Sequence, residues 1–529
     1  MLALSLTTAG TFFARAQDAS ETGPAAGGAE GHGRILLVLP FDNRSGQPSL
    51  EWIREAAPEI LSARFASAGF APMSRADRLY ALDHLGLPQG FQPSRASSLK
   101  LAQTLDADFI VVGSYTTDGT GIEAQAQVVD VQRLHMSLAV SAHGELRDLI
   151  SVFDSLAWKL TRQLDPGFSG TEETFVAAGA SLRLDAFEQY IRGITEPDQE
   201  ERLRHLKQAV LLSPEFSQAW MALGRENYNA QQYEQAAKAF AKVGANTSDA
   251  LEAGFYRGLS LLFYGDYPRA EESFAGVARV LPLAEVLNNE GVAVSRRGQD
   301  GVALFRRAVA ADGSAADYHF NLAVSLKRHG ESAEALTELT QCLRLHPNDS
   351  EAQELEKAWK EPAAGTGAEA KADPLERIAR NFDAVAFRQA AQMMDQMAAL
   401  RLAALTPHER AQKLAIQAKG YLDRGLLLEA ERLYLSAVAA DGQVAEAHAG
   451  LAEVRERTGD VAGARKEATT SLELMPSADA YLVLGRLDLA VSHLNEAGSE
   501  AGEALKLDPK SRAAQELSRQ VEAKQTEKR

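Results

Sequence analysis

The sequence predicts a multidomain chain, with an N-terminal α/β domain built on a mixed sheet followed by all-α superhelical arrays of repeated helix pairs. Three observations predict it. Residue types recur at one interval: Gly224 and Gly258, Ala236 and Ala270, and Phe240 and Phe274 are each 34 positions apart, the period of stacked helical units. Upstream of residue 166 the apolar residues fall instead in short continuous or alternating runs bounded by turn signals, the pattern of strands. Residues 361–373, EPAAGTGAEAKAD, carry no apolar periodicity and divide the repeats in two.

Taken in order, residues 2–13 are mainly apolar or small, and Ala14-Arg15-Ala16 has the small-x-small form of a signal-peptidase site. Residues 1–16 therefore read as a signal peptide, with a mature start at Gln17 and a periplasmic or exported protein. No Lys or Arg precedes the apolar stretch. A start codon assigned late accounts for that, and a cytoplasmic chain with a disordered tail is the alternative. Residues 17–33 are polar and Gly-rich, a spacer. Residues 34–41, RILLVLPF, read as a strand buried on both faces. A helix follows over 50–68, with Trp52, Ile53, Ile60, Leu61 and Phe65 at helical spacing and Gly69 closing it. A short strand at 70–73, helices at 76–85 and 97–105, and a core strand at 107–117 come next. Asp118-Gly119-Thr120-Gly121 signals a hairpin. Strands at 122–131 and 134–143 and an amphipathic helix at 146–164 complete one α/β domain over residues 34–166.

In this domain Leu39, Pro40, Phe41, Asn43, Ser45 and Gly46, followed by the strands ADFIVVGSY at 107–115 and VVDVQ at 128–132, resemble the TolB amino-terminal-like family. The stretch AFEQYIRG at 186–193 is similar to the junction by which that family precedes helical repeats. The resemblance covers residues 34–215 and implies an accessory, sensing or assembly domain, with no reaction. Asn43 and Ser45 lie just past a strand end, where α/β sheets bind ligands, and the same residue types form turns.

Each repeat is a helix pair too small to bury its own apolar face. Within residues 220–224, Trp220 and Leu223 point inward and Gly224 lets the second helix approach closely. Ala236 and Phe240 lie four apart on one face of that second helix. Pro214 and Pro282, 68 apart, stop second helices. This pattern resembles the tetratricopeptide repeat. Gly258, Ala270, Phe274 and Pro282 carry it in one unit, and Leu322, Ala323, Ala335, Leu339 and Pro347 in another. Ala430, Tyr434, Ala464, Ala468, Leu484, Gly485, Ala497, Ala501, Ala504 and Pro509 carry it near the C-terminus. Residues 287–312 keep Gly291, Phe305 and Ala308 in a shortened unit, and 186–214 form a short first unit with Phe187, Tyr190, Leu206 and Ala209. About eight units result, more than a stable stack needs. They divide into an array over 180–360, a linker at 361–373, and a second array over 374–520. A helix at 383–405, with Phe387, Ala390, Met394, Met397 and Leu400 on one face, is expected to cap the second array, and 521–529 to be a solvated tail.

The formal net charge of −17 makes nucleic-acid phosphate an unfavourable partner. No run of 18 apolar residues follows the N-terminus, so no transmembrane segment is expected in the mature chain. The single cysteine, Cys342, sits where a repeat takes a small core residue. Phosphate-loop, zinc-helix, nucleophile-elbow and calcium-loop motifs do not occur. His135 and His143, in one strand, would stand about 25 Å apart, too far for one metal. Asp106 and Asp108 read as the end of a helix and the start of a strand. No catalytic residue, metal or cofactor is expected. The candidate peptide groove, formed by the first helices, comprises Met221, Arg225, Tyr228, Phe255, Leu259, Asn288, Val292, Phe320 and Lys327, a mixture suited to an extended peptide with apolar and acidic groups. The competing reading is packing between repeats. The expected function is a non-enzymatic protein–protein interaction scaffold or adaptor of the bacterial cell envelope. The alternative is a regulator that senses a ligand through the α/β domain.

Overall fold

Residue alternation in the first strand decides how the N-terminal layers assemble. The structure, a computed structural model, describes residues 35–88, 90, 94–245, 247, 249–360, 373–382 and 384–527. The expected signal peptide, the spacer, linker residues 361–372 and the last two residues lie outside them. Strands β1 (Ile35–Val38), β2 (Asp42–Asn43), β3 (Ala71–Pro72), β4 (Phe109–Thr117), β5 (Gly121–Asp130), β6 (His135–Met136) and β7 (Val140–Glu145) form one mixed sheet. β1 lies parallel between β3 and β4, and β5 runs antiparallel to β4 and carries β6 and β7 on its other edge. Leu36 and Val38 face helices α1 (Ile53–Ser67) and α4 (Leu149–Leu164). Leu37 and Leu39 face α2 (Arg75–His84) and α3 (Arg95–Thr104) on the other side. Both faces are covered, which is why the strand is apolar throughout.

The single strand expected over 134–143 is broken into β6 and β7. Ser137 interrupts it, since its hydroxyl accepts the Val128 N–H at 2.9 Å and donates to Gln163 at 2.8 Å. Leu138 then turns outward, 84% exposed. His135 pairs opposite Asp130 and His143 opposite Glu123. Asp108 accepts the Ile35 N–H at 2.8 Å, tying the start of β4 to the start of β1.

After α5 (Glu172–Gly179) come five helix pairs: α6 (Leu184–Thr195) with α7 (Gln199–Leu212), α8 (Ser217–Asn229) with α9 (Tyr233–Phe240), α10 (Ala250–Tyr264) with α11 (Tyr267–Val280), α12 (Ala284–Arg296) with α13 (Val302–Ala311), and α14 (Ala316–Arg328) with α15 (Ser332–Leu345). The single helix α16 (Ser350–Lys360) ends this first array. Past α17 (Ala384–Ala403), a second array contains α18 (Pro407–Leu422) with α19 (Leu427–Ala440), α20 (Ala445–Thr458) with α21 (Val461–Leu474), and α22 (Ala478–Ala490) with α23 (Leu494–Leu507), closed by α24 (Arg512–Glu527).

A close approach at glycine recurs through the pairs. A Cβ on Gly224 would stand 2.6 Å from the Phe240 ring, one on Gly258 2.7 Å from Phe274, and one on Gly291 2.8 Å from Phe305. Those separations are below any real contact, so the ring occupies the space a side chain would need.

Two expectations are corrected. Residues 521–527 are helical, because Ala514, Leu517 and Val521 recur at helical spacing and bury themselves in the last apolar cluster. Helix α17 does not cap the second array with the expected face: Met397 and Leu400 are 49% and 71% exposed, and Phe387 packs at a tilt against Phe382, ring centroids 5.3 Å apart. The side chains of Ala390 and Met394 lie outside the described residues.

The α/β domain and the first pair share one core, in which Phe175, Phe187, Tyr190 and Phe216 continue the cluster begun by Phe41 and Phe65. The second array returns to the same place. Leu428 of α19 enters that cluster, and the Thr171 N–H donates to the Glu431 carboxylate at 3.2 Å. Glu431 is fully buried, and burial pushes its carboxyl up to about 7 against the opposing hydrogen bonds of Thr174 and Thr171 and the charge of Arg455.

Two outcomes follow. Gly258→Ala should lower the stability of the first array by about 1–3 kcal/mol, measured by urea titration with far-ultraviolet circular dichroism. Glu431 keeps its proton to higher pH folded than unfolded, so its favourable contribution is full below the ordinary carboxylate range and declines as pH rises towards about 7. Thermal melts of Glu431→Gln between pH 4 and pH 8 should show less loss of melting temperature with rising pH than the parent chain.

Candidate functional site

The inner face of the first array is lined by the first helices of its pairs, and three asparagines on it are fully buried: Asn288 and Asn289 on α12 and Asn321 on α14. A buried primary amide without partners is costly. Here the partners come from elsewhere in the chain, residues 373–382, which run without regular structure along the groove.

Asn321 clasps Arg377 from both sides of its peptide unit, its Oδ1 accepting the Arg377 N–H at 2.7 Å and its Nδ2 donating to the Arg377 carbonyl at 2.7 Å. Asn288 Nδ2 donates to the same carbonyl at 3.1 Å. Asn289 holds Ala379 in the same way, at 2.9 Å and 2.8 Å. The clasped residues are two apart, the repeat of an extended chain whose alternate backbone groups face one side. An amide side chain can do this because it carries both a donor and an acceptor.

The side chains on either side of the clasp are read by charge. Glu376, 4% exposed, meets Arg296 at 2.8 Å and also contacts Ser295 and Arg328. Burial alone would raise its pKa, yet hydrogen bonds from Ser295 and Arg328 hold it below the ordinary value. Arg328 also donates to Asp373 and to the Pro374 carbonyl, both at 2.6 Å. Arg377 lies over the Phe320 ring at 3.6 Å from its centroid and pairs with Asp349 at 2.6 Å, Asp317 at 2.9 Å and Glu351 at 3.0 Å. Its hydrogen bonds hold Asp349 below the ordinary carboxylate range. Further along, Phe382 packs on Phe255 at 5.4 Å, and Arg380 lies over Phe263 at 5.4 Å. The segment thus runs from α14 towards α10, against the order of the repeats.

Of the groove residues expected from the sequence, Asn288, Phe255 and Phe320 touch this segment. Leu259 and Val292 are fully buried in the cluster on which Ile378, Ala379 and Phe382 rest. Arg225 and Tyr228 line a cavity of about 530 Å³ with Arg380 and Asn381 at its edge, and Arg225 pairs with Glu252 at 2.6 Å. Met221 is not in the groove; it is 2% exposed and packs with Ala236, Phe240 and Ala253 between repeats. Lys327 also leaves it, lying over Trp359 at 5.5 Å. Its ammonium donates to Ser332 at 3.2 Å rather than to the segment. The division at 374 is corrected too, since residues 374–382 are held by the first array. Asn289, Asn321, Ser295, Arg296 and Arg328 were missed, although Asn288 and Asn321 sit 33 apart on otherwise apolar faces.

Asn43 and Ser45 turn toward each other: Asn43 Oδ1 accepts the Ser45 N–H at 3.0 Å, and its Nδ2 donates to Glu51 at 3.0 Å. Among the described residues no cluster of three metal-ligating side chains occurs, and no helix is long and apolar enough to cross a membrane. Cys342 is fully buried, and burial pushes its thiol up to about 11.

A family model described as the tetratricopeptide repeat matches residues 293–350 and 417–474, one stretch in each array. These are tetratricopeptide repeats. No curated relative matches the sequence. Among solved structures, the chain is similar to YrrB, described as a TPR protein with an unusual peptide-binding site, at 17% identity and a TM-score of 0.31, covering 33% of this chain and 92% of that one. A MamA fragment from Desulfovibrio magneticus RS-1 shows 20% identity, a TM-score of 0.28, and coverage of 34% and 99%. The LpoB C-terminal domain from Salmonella enterica shows 18% identity, a TM-score of 0.19, and coverage of 23% and 86%.

In the tetratricopeptide groove, Asn321→Ala would leave the Arg377 amide without its acceptor. The expected result is a loss of about 1–3 kcal/mol in stability and faster hydrogen exchange at Arg377. The Ala379 amide, held by Asn289, should keep its protection.

Proposed function

We propose that the protein is a non-enzymatic interaction scaffold of the bacterial cell envelope, which grips extended segments of partner proteins in its tetratricopeptide grooves. The observation that carries this reading is the occupied first groove, where asparagine amides hold an extended backbone and charged pockets select its side chains. That is a peptide-recognition geometry. The second array supplies an open counterpart of about 420 Å³, floored by Tyr434 and Val444 and edged by Ile416, Lys419, Glu446, Glu453 and Asp479. Ile416 is 70% exposed there. Glu453 is paired with Arg457 and Asp479 lies 3.9 Å from Lys419, so Ile416 and Glu446 are the groups offered, suiting a partner segment with an apolar anchor and a cationic flank.

The envelope location is our reading of residues 1–16, and the assignment of the α/β domain to the TolB amino-terminal-like family is our reading of residues 34–215. On that reading the α/β domain docks one component while the arrays hold another. The sensor alternative has less support, because Asn43 and Ser45 spend their polar atoms on each other and on Glu51.

The test is crosslinked capture from native cells with the parent chain and an Ile416→Lys, Glu446→Lys variant, which removes the apolar anchor and reverses a carboxylate at the groove edge. Capture of a specific partner should fall at least tenfold in the variant with an unchanged melting temperature. Equal capture by both would remove the second groove from the reading. N-terminal sequencing of the envelope fraction should find Gln17 first, and an intact Met1 in the cytosol would count against export.

A further inference from the structure

We propose that residues 373–382 are a ligand held in cis, and that the same groove takes, in trans, an extended partner segment with adjacent Glu and Arg, an apolar residue after them, and an aromatic residue five positions after the arginine. This rests on reading the grooves as peptide-binding, and adds which peptide the first one reads and what occupies it beforehand.

The contacts divide as they do in peptide recognition. Three buried asparagines hold the backbone of Arg377 and Ala379, which any sequence offers. Selectivity comes from two neighbouring pockets of opposite charge, Arg296 and Arg328 around Glu376, and Asp317, Asp349 and Glu351 around Arg377. Exchanging the two charges would place each against its own sign. Phe382 on Phe255 adds the aromatic anchor.

The segment is also placed so that it can be replaced. Asp317 and Glu351 are 54% and 52% exposed, so the Arg377 side chain has a solvent route out of its pocket. Beside the segment the groove opens into the cavity at Arg225, Tyr228, Tyr233 and Tyr256, which Arg380 and Asn381 of the segment line without filling. A partner segment with bulkier side chains at the positions of Arg380 and Asn381 would fill more of this cavity, adding contacts the cis segment lacks. That surplus is needed, because a ligand held in the same chain competes at a high effective concentration. An emptied groove would leave the Asn288, Asn289 and Asn321 amides without their partners, so replacement of one peptide by another is favoured over simple release.

The test titrates a fluorescent peptide of residues 373–382, DPLERIARNF, into the full chain and into its Arg377→Glu variant, whose own segment would meet Asp317, Asp349 and Glu351 with like charge. The variant should bind the peptide at least tenfold more tightly than the parent. Adding Asn288→Ala and Asn321→Ala should abolish binding, and a peptide with the Glu and Arg exchanged should bind at least tenfold more weakly. Absence of binding to a variant that melts like the parent would overturn the proposal, as would equal binding to parent and variant. Should Arg377→Glu fail to fold, the parent chain serves: millimolar peptide should accelerate hydrogen exchange at the Arg377 and Ala379 amides, and unchanged exchange would overturn the proposal. Peptide binding without any partner captured through the second array would support this inference while removing the scaffold reading there, so the two fail separately.

Discussion

The first array depends on a ring lying where a side chain cannot. Phe240, Phe274 and Phe305 each sit against the glycine of their partner helix, at separations no Cβ could share. This brings the two helices of a pair together tightly enough for neighbouring pairs to stack, since no pair buries its apolar face alone. The second array solves the same problem with the order reversed. Tyr434 on α19 lies against Gly450 of the following helix, where a Cβ would fall 2.0 Å from its ring. One device therefore closes a pair, and elsewhere joins one pair to the next.

Stacking on this pattern lines the inner face of the first array with first helices, and there the energetics change. Where the outer contacts are apolar, Asn288, Asn289 and Asn321 place amide groups, all buried beneath the segment they hold. Such groups constrain what can fill the groove more sharply than an apolar lining would. A filler must bring backbone donors and acceptors two residues apart, as an extended chain does and a helix does not. The charged pockets on either side then add selectivity to a clasp that is itself indifferent to sequence.

Much of the architecture was legible in the sequence, because it is written in periods. The intervals between Gly224 and Gly258, and between Phe240 and Phe274, reflect one packing contact repeated, and the continuous apolar run from Ile35 reflects a strand covered on both faces. The break at Ser137 was hidden, since a side chain replacing a backbone partner leaves no periodic trace. The groove was only half visible. Asn288 and Phe320 could be reached by counting from Trp220, but counting cannot show that Lys327, on the same helix face as Phe320, reaches Trp359 and not the segment. The occupant was further from reach: residues 373–382 resemble a continuation of the linker, and only the structure joins Arg377 to an acidic pocket on helices before it. The pair of asparagines 33 apart on apolar faces was the available sign.

The contact between Thr171 and Glu431 spans 260 positions, and it bears on how the chain is made. A repeat array normally folds from neighbour to neighbour as it emerges, but this one must finish by returning to its start. The place on the first core that Leu428 fills therefore stays uncovered until α19 has been delivered and has folded back onto it. During that time a newly made chain presents an unfinished apolar surface beside α5. The interval before the closing step is thus when the new chain is open to aggregation, or accessible to a chaperone.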